Sequence, residues 1–130
     1  MMQEVGRLLF TSEDAARLKD YLLKGGFLWV DDFGGSYAWD VWAGQIRKVF
    51  PPDEYPIVDL PMDHPIFHTM FDLRRVPQIP GIGTWLGSGR TSERVSDSWE
   101  REGEDPEYFF KFSVEGYKVA VNVLLYTMTH

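Results

Sequence analysis

The apolar and polar positions of residues 21–40 predict, in order, a helix end, a turn, a buried strand and a second helix start. Residues 27–30, with the sequence FLWV, are continuously apolar rather than alternating, which is typical of a parallel strand covered on both faces. The run stops at Asp31 and Asp32. Because open α/β sheets bind ligands outside the carboxyl ends of their strands, the pattern predicts a site at these two carboxylates.

Two helices are predicted on either side of this strand. Thr11 or Ser12 caps the first helix, and Gly25 with Gly26 ends it in a left-handed cap. The second helix begins near Ser36 and stops before a pair of prolines. Its apolar face consists of Trp39, Trp42, Ile46 and Val49.

The rest of the chain adds β-rich segments around a long loop. Residues 57–60 predict a short strand, and residues 65–71 predict a single helical turn. Residues 76–107 are rich in Pro, Gly, Ser and charge and predict a loop. Residues 108–114 and 117–125 are β-rich and predict an antiparallel hairpin. The pattern therefore predicts one α/β domain over the whole chain, with a mostly parallel sheet, helices on both faces and a C-terminal antiparallel hairpin.

Composition limits the classes of partner. The chain of 130 residues has 20 acidic and 13 basic side chains, and its formal net charge of −7 argues against a nucleic-acid surface or a cationic membrane helix. It contains no cysteine, which excludes a thiol nucleophile and a cysteine zinc site. No stretch approaches the roughly 18 apolar residues of a membrane span, so we expect a soluble chain without a transmembrane segment.

Aromatic residues make up 15% of the chain, and five of them are tryptophans. Trp29 and Trp42 are expected in the core, with the remaining aromatics covering loops. The alternative is that some of them line a groove or a subunit interface.

Four motifs in order resemble the bacterial family called domain of unknown function 4159. These are LLKGGFLWVDDF at 22–33, DHPIFH at 63–68, PQIPG at 77–81 and RTSER at 90–94. The resemblance implies a branch of the class I glutamine-amidotransferase-like superfamily, with a flavodoxin-like three-layer sandwich. Family members usually open with an apolar strand before the position of Gly6. The chain is therefore expected to be an N-terminally shortened member, cytoplasmic as given or exported if a signal was removed.

The chemistry of that superfamily does not transfer to this chain. Its working enzymes place a cysteine on a strand-to-helix elbow, whereas here the turn Asp32-Phe33-Gly34 offers a carboxylate and no Gly-x-Ser-x-Gly elbow replaces it. Glutamine amidotransferase activity is thus excluded, and whether the chain is an enzyme stays open.

The carboxylates and histidines each allow two interpretations. Asp31 and Asp32 alternate in direction, so one can face a crevice as a metal ligand, general base or hydrogen-bond acceptor, while the other caps the next helix. His64 and His68 lie four apart, as in metal-binding pairs on one helical face. Alternatively, His64 caps the turn and His68 packs against a polar group. We expect no metal and no cofactor.

Residues 90–94 combine two arginines with two hydroxyls and a carboxylate. They predict either a clamp for an anionic or carbohydrate-like ligand or a solvated loop. The candidate pocket consists of Asp31, Asp32, His64, His68, Arg90, Ser92 and Glu93.

The favoured function is a ligand- or protein-binding module that self-associates as a homo-oligomer, with a small molecule or a protein as its partner. The alternative is a hydrolase in which an aspartate activates water and a histidine transfers protons, with or without a metal. Catalysis requires the acid and the histidine within hydrogen-bond reach, whereas binding requires only a concave surface.

Overall fold

Helices dominate the structure. The computed structural model describes residues 1–2, 5–31, 33, 35–88 and 105–130. They form two compact units, Met1–Asp59 (unit 1) and Leu60–His130 (unit 2). Within the described residues there is no sheet, so the predicted α/β, flavodoxin-like or amidotransferase-like sandwich is wrong. That the whole chain forms one domain stays a prediction.

Unit 1 contains a short 3₁₀-helix, Val5–Arg7, and two α-helices, α1 (Ser12–Leu23) and α2 (Ser36–Val49). Helix α1 begins where the sequence predicts. The Thr11 hydroxyl accepts a hydrogen bond from the Asp14 amide, and the Asp14 carboxylate accepts one from the Thr11 amide, which completes a capping box. The Thr11 hydroxyl also donates to Asp14 and, with the amide, holds the pKa of this carboxyl below its usual value.

The end of α1 is also as predicted. Gly25 has a φ of 88°, and its amide donates to the Leu22 carbonyl, while the Gly26 amide donates to the Tyr21 carbonyl at 2.9 Å. This pair of bonds is a Schellman motif, which satisfies two carbonyls that the helix leaves free. The chain can therefore reverse direction within two residues.

The core of unit 1 is built from small side chains. Its buried apolar residues are Val5, Ala15, Ala38, Ala43 and Val49. Small residues let backbone segments approach closely, and a Cβ atom placed on Gly6 would lie 3.5 Å from the Cβ of Ala38. Of the predicted apolar face of α2, Val49 is buried, Trp42 and Ile46 are partly buried, and Trp39 is 43% exposed.

The predicted central strand does not form. Of residues 27–30, only Val30 takes part in an isolated parallel bridge, to Met2. The Met2 amide donates to the Trp29 carbonyl at 2.8 Å, and the Asp31 amide donates to the Met2 carbonyl at 3.0 Å. Phe27 is 43% exposed. Residues 57–60 are not a strand either. A continuous apolar run predicts a buried strand only where neighbouring strands and helices cover it.

Unit 2 begins with a 3₁₀-helix, Pro65–Phe67, within the predicted helical turn. Helix α3 (Ile82–Ser88) lies inside the segment predicted as a loop, so that prediction is wrong there. A continuous helical segment then runs through α4 (Pro106–Tyr108), a π-helical turn (Phe109–Ser113) and α5 (Val114–Thr129). None of the helices in the described part of the chain is long and apolar enough to cross a membrane.

The predicted C-terminal hairpin is therefore wrong, because its residues are helical. The Asp105 side chain caps this helix by accepting the Tyr108 amide at 2.7 Å, and Pro106 follows at the first helical position. Tyr108 and Phe112, four residues apart, are both buried against a core that includes Ile79 and Ile82. Tertiary packing of this face overrides the β propensity of the aromatic and β-branched residues.

Candidate functional site

The predicted pocket residues fall in three groups. Asp32, Arg90, Ser92 and Glu93 lie outside the described residues. Asp31 belongs to unit 1, where it is only 6% exposed. His64 and His68 flank the 3₁₀-helix of unit 2. The convergence of Asp31 with the histidines and with residues 90–94 stays a prediction.

His64 caps the 3₁₀-helix Pro65–Phe67, as the second interpretation of the sequence expected. Its Nδ1 accepts a hydrogen bond from the Ile66 amide at 3.2 Å, which places the ring proton of the neutral form on Nε2. The ring lies 5.4 Å from that of Tyr126, and Tyr126 stacks on His130 with the ring centroids 4.3 Å apart. Nδ1 of His64 is thus occupied by a hydrogen bond within the turn.

His68 uses both of its ring nitrogens. Nδ1 lies 2.7 Å from Asp72 Oδ1, and Nε2 lies 2.7 Å from the Met62 carbonyl oxygen. Both partners are acceptors, so only the imidazolium can donate both bonds. The Met62 carbonyl, and next the Asp72 carboxylate, raise the pKa of His68 above its ordinary value. Both ring nitrogens therefore face acceptor oxygens of the protein.

Asp72 completes this arrangement. Its pKa is lowered, first by the hydrogen bond from His68 and then by the one from Arg74. The sequence contained the signal for this pair, since Asp72 follows His68 by four residues, as an ion pair on a helix does. The four-residue spacing of His64 and His68 predicts a pair of histidines instead.

A metal centre would need further ligands near these histidines. Within the described part of the chain, no group of three or more His, Cys, Asp or Glu side chains is placed to hold a metal ion. His68 is already bound at both nitrogens. The described geometry of unit 2 therefore gives no support to the metal-assisted form of the hydrolase hypothesis.

Unit 1 contains a cavity that the sequence pattern did not indicate. It has a volume of about 460 Å³, within the usual range of small-molecule sites, and we call it the α2 cavity. It lies between the last turn of α2 and the segment that follows. Its lining residues are Ile46, Arg47, Phe50, Pro52, Tyr55, Pro56 and Ile57.

The wall of the α2 cavity is formed by a tight turn. The amides of Glu54 and Tyr55 both donate to the Pro51 carbonyl, at 3.1 and 2.9 Å. This folds Tyr55 back onto Phe50, so that their ring centroids lie 4.7 Å apart with an interplanar angle of 54°. Pro51 and Pro52 restrict φ at the start of the turn. An aromatic corner is thus held in place before any ligand arrives.

Arg47 is the charged residue of this wall. It is exposed, and within the described part of the chain its guanidinium has no hydrogen-bond or ion-pair partner. The other lining residues carry no acid that could neutralise it. The α2 cavity therefore combines an apolar surface with one available cation.

A second cavity of about 450 Å³ lies between α1 and α2. Its two cations are Lys19 and Lys48. Lys48 is engaged, because Nζ donates to Gln45 Oε1 at 2.7 Å and to the Phe10 carbonyl at 3.3 Å. Lys19 lies over the Phe50 ring at 5.9 Å. Since these groups already have partners, the α2 cavity is the better candidate site.

Comparison with known proteins identifies the family. No curated protein and no solved structure matches the chain. The family model described as Domain of unknown function (DUF4159) matches residues 1–128, almost the whole length. The chain therefore belongs to the DUF4159 family.

Proposed function

We propose that the protein is a binding domain for a small apolar molecule and that the α2 cavity is its site. The observation that carries the proposal is the cavity itself, about 460 Å³ in volume and lined almost entirely by aliphatic, aromatic and proline side chains. Binding sites for small molecules have this composition, with few polar groups. Binding is also the function expected from the sequence, but the proposed site is the α2 cavity and not the pocket predicted from the sequence.

Preorganisation supports this choice. Phe50 and Tyr55 are in contact, and the backbone turn at Pro51 fixes their positions. Ordering a loop around a ligand costs free energy, and a wall that is already in place avoids this cost. Tyr55 is nevertheless 44% exposed, so part of its ring surface is free to contact a ligand.

Binding is favoured over the alternative hydrolase by the surroundings of His68. A general base needs a ring nitrogen that faces water or a substrate, whereas both nitrogens of His68 lie 2.7 Å from acceptor oxygens of the protein. A hydrolase site that uses Asp31 or Asp32 with His64 stays a prediction.

Self-association is a second part of the proposal. Unit 1 exposes several large apolar side chains, among them Leu9 (75%), Tyr37 (71%) and Trp39 (43%). Exposed apolar groups of this kind are commonly covered in protein interfaces. A second copy of the chain is the partner we propose for them.

The binding proposal is tested with N-phenyl-1-naphthylamine, an uncharged aromatic probe whose fluorescence rises in apolar surroundings. Titration of the full chain should show saturable binding. Ile57→Asp places a carboxylate in the cavity wall and should weaken binding about tenfold, because a charge next to an apolar ligand loses hydration.

Val58→Asp is the matched control. Val58 is the next residue, is exposed and does not line the cavity, so this variant should bind like the unchanged protein. If Ile57→Asp and Val58→Asp bind the probe equally well, the α2 cavity is not the site.

A further inference from the structure

We infer that the ligand of the α2 cavity carries an anionic group, a carboxylate or a similar oxyacid, which Arg47 binds while the apolar body lies against Phe50 and Tyr55. This inference rests on the proposed function and specifies its ligand. Arg47 lines the cavity and has no partner within the described residues. A guanidinium matches the planar geometry of a carboxylate and can donate two parallel hydrogen bonds to it.

Other exposed cations of unit 1 contrast with Arg47. Arg17 pairs with Glu13 and Lys24 pairs with Asp20, each one helical turn away. Lys48 binds Gln45 and a backbone carbonyl. Arg7 also has no partner in the described part, but it lines neither of the two cavities. Arg47 is thus distinguished by combining an available guanidinium with an apolar cavity.

The position of Arg47 in α2 has a simpler role as well. It lies in the last turn of the helix, where a cation interacts favourably with the helix dipole. That role requires only a positive charge and would be served equally by lysine. Recognition of an oxyacid requires the planar fork, so arginine and lysine should differ in ligand binding and not in helix stability.

The net charge of the protein does not prevent anion binding at this site. The formal charge of −7 is spread over 130 residues, and salt screens such charges beyond about 8–10 Å. The contact with Arg47 acts at hydrogen-bond distance beside an apolar wall, where screening by water is weaker. Among the residues that line the cavity, Arg47 is the one that carries a charge.

Two probes with the same aromatic body test the inference. 8-Anilinonaphthalene-1-sulfonate carries an acidic group, and N-phenyl-1-naphthylamine lacks it. Arg47→Gln should weaken binding of the sulfonate about tenfold and leave binding of the uncharged probe within about twofold. Arg47→Lys should retain only part of the sulfonate affinity. Arg17→Gln, an exposed residue outside both cavities, should change neither probe.

The outcomes separate this inference from the proposed function. If Arg47→Gln leaves sulfonate binding unchanged while Ile57→Asp weakens the uncharged probe, the anionic group is excluded and the apolar site remains. If the uncharged probe does not bind the full chain saturably, the proposed function fails, and the inference fails with it. If Arg47→Gln weakens binding of the sulfonate but not of the uncharged probe, both the proposed function and this inference are supported.

Discussion

Asn122 and Phe71 exchange two hydrogen bonds, although 51 positions separate them in the chain. Asn122 Nδ2 donates to the Phe71 carbonyl at 2.8 Å, and its Oδ1 accepts the Phe71 amide at 2.8 Å and the Met70 amide at 3.0 Å. The asparagine is fully buried on α5. One side chain thus satisfies three backbone groups and fixes the 70–71 segment to the helix.

Removal of this side chain should destabilise the protein. Asn122→Ala leaves three backbone groups without partners, and we expect a loss of about 2–4 kcal/mol in the free energy of unfolding. Urea denaturation measures this loss. Leu124→Ala on the same helix is the control, since Leu124 is exposed and its truncation should cost far less. Equal losses in the two variants would show that the asparagine is not a structural anchor.

The His68–Asp72 pair should make stability depend on pH. The folded-state pKa of His68 is raised, so its contribution is fully present below the ordinary value of 6.5 and is lost as the pH rises through the raised pKa. The contribution of Asp72 to stability depends on pH in the opposite direction. The pKa of Asp72 is lowered, so its contribution is present above 3.8 and is lost as the pH falls through the lower folded value.

NMR titration of the imidazole resonances checks this expectation directly. His68 should titrate above its ordinary value, and Asp72→Asn should lower the pKa of His68 while leaving part of the shift from the Met62 carbonyl. An ordinary His68 pKa in the unchanged protein would contradict the arrangement.

Replacement of two glycines of unit 1 by alanine should change the stability of the protein in opposite directions. Gly44 lies inside α2 with open space around its Cα, so Gly44→Ala should stabilise the protein by about 0.5–1 kcal/mol through helix propensity. Gly25 has a φ of 88° in the cap of α1, so Gly25→Ala should destabilise it by about 1 kcal/mol. Thermal unfolding of both variants distinguishes the signs, and a common sign would refute this account.

Self-association should be visible by light scattering. The exposed apolar side chains of unit 1 predict a mass above that of one chain at micromolar concentration. Leu9→Ser combined with Tyr37→Ser should shift the mass towards the monomer, whereas Met128→Ser, a change at a comparably exposed residue of unit 2, should not. A stable monomer at these concentrations would remove the oligomer from the proposal.

The sequence predicted the helices whose ends carry local chemistry. Thr11 with Asp14 begins α1, Gly25 with Gly26 ends it, and a pair of prolines follows α2. These signals act within a few residues, so they do not depend on the rest of the fold. The last helix carries the same kind of local signal at Asp105, where an N-cap residue precedes a proline.

Tertiary context explains the remaining errors. The aromatic and β-branched residues after Tyr108 favour a strand locally, but burial of Tyr108 and Phe112 against Ile79 and Ile82 requires a helix. Within the part of the chain that the structure describes, residues 27–30 have no strand partner beyond the bridge from Val30 to Met2. The α2 cavity could not be predicted because its apolar wall depends on how Tyr55 folds back onto Phe50, and no sequence motif marks this contact.

The π-helical turn at Phe109–Ser113 sets the rotational register of the C-terminal helix. Such a turn accommodates one residue more than an α-helical turn, and a single residue corresponds to a rotation of about 100° around the axis. Deleting one residue from this turn should restore a regular α-helix and turn Asn122 away from the 70–71 segment while Tyr108 stays in its core. The number of residues in the π-helical turn, as well as the identity of the side chains, therefore determines how the two halves of this helix pack against their neighbours.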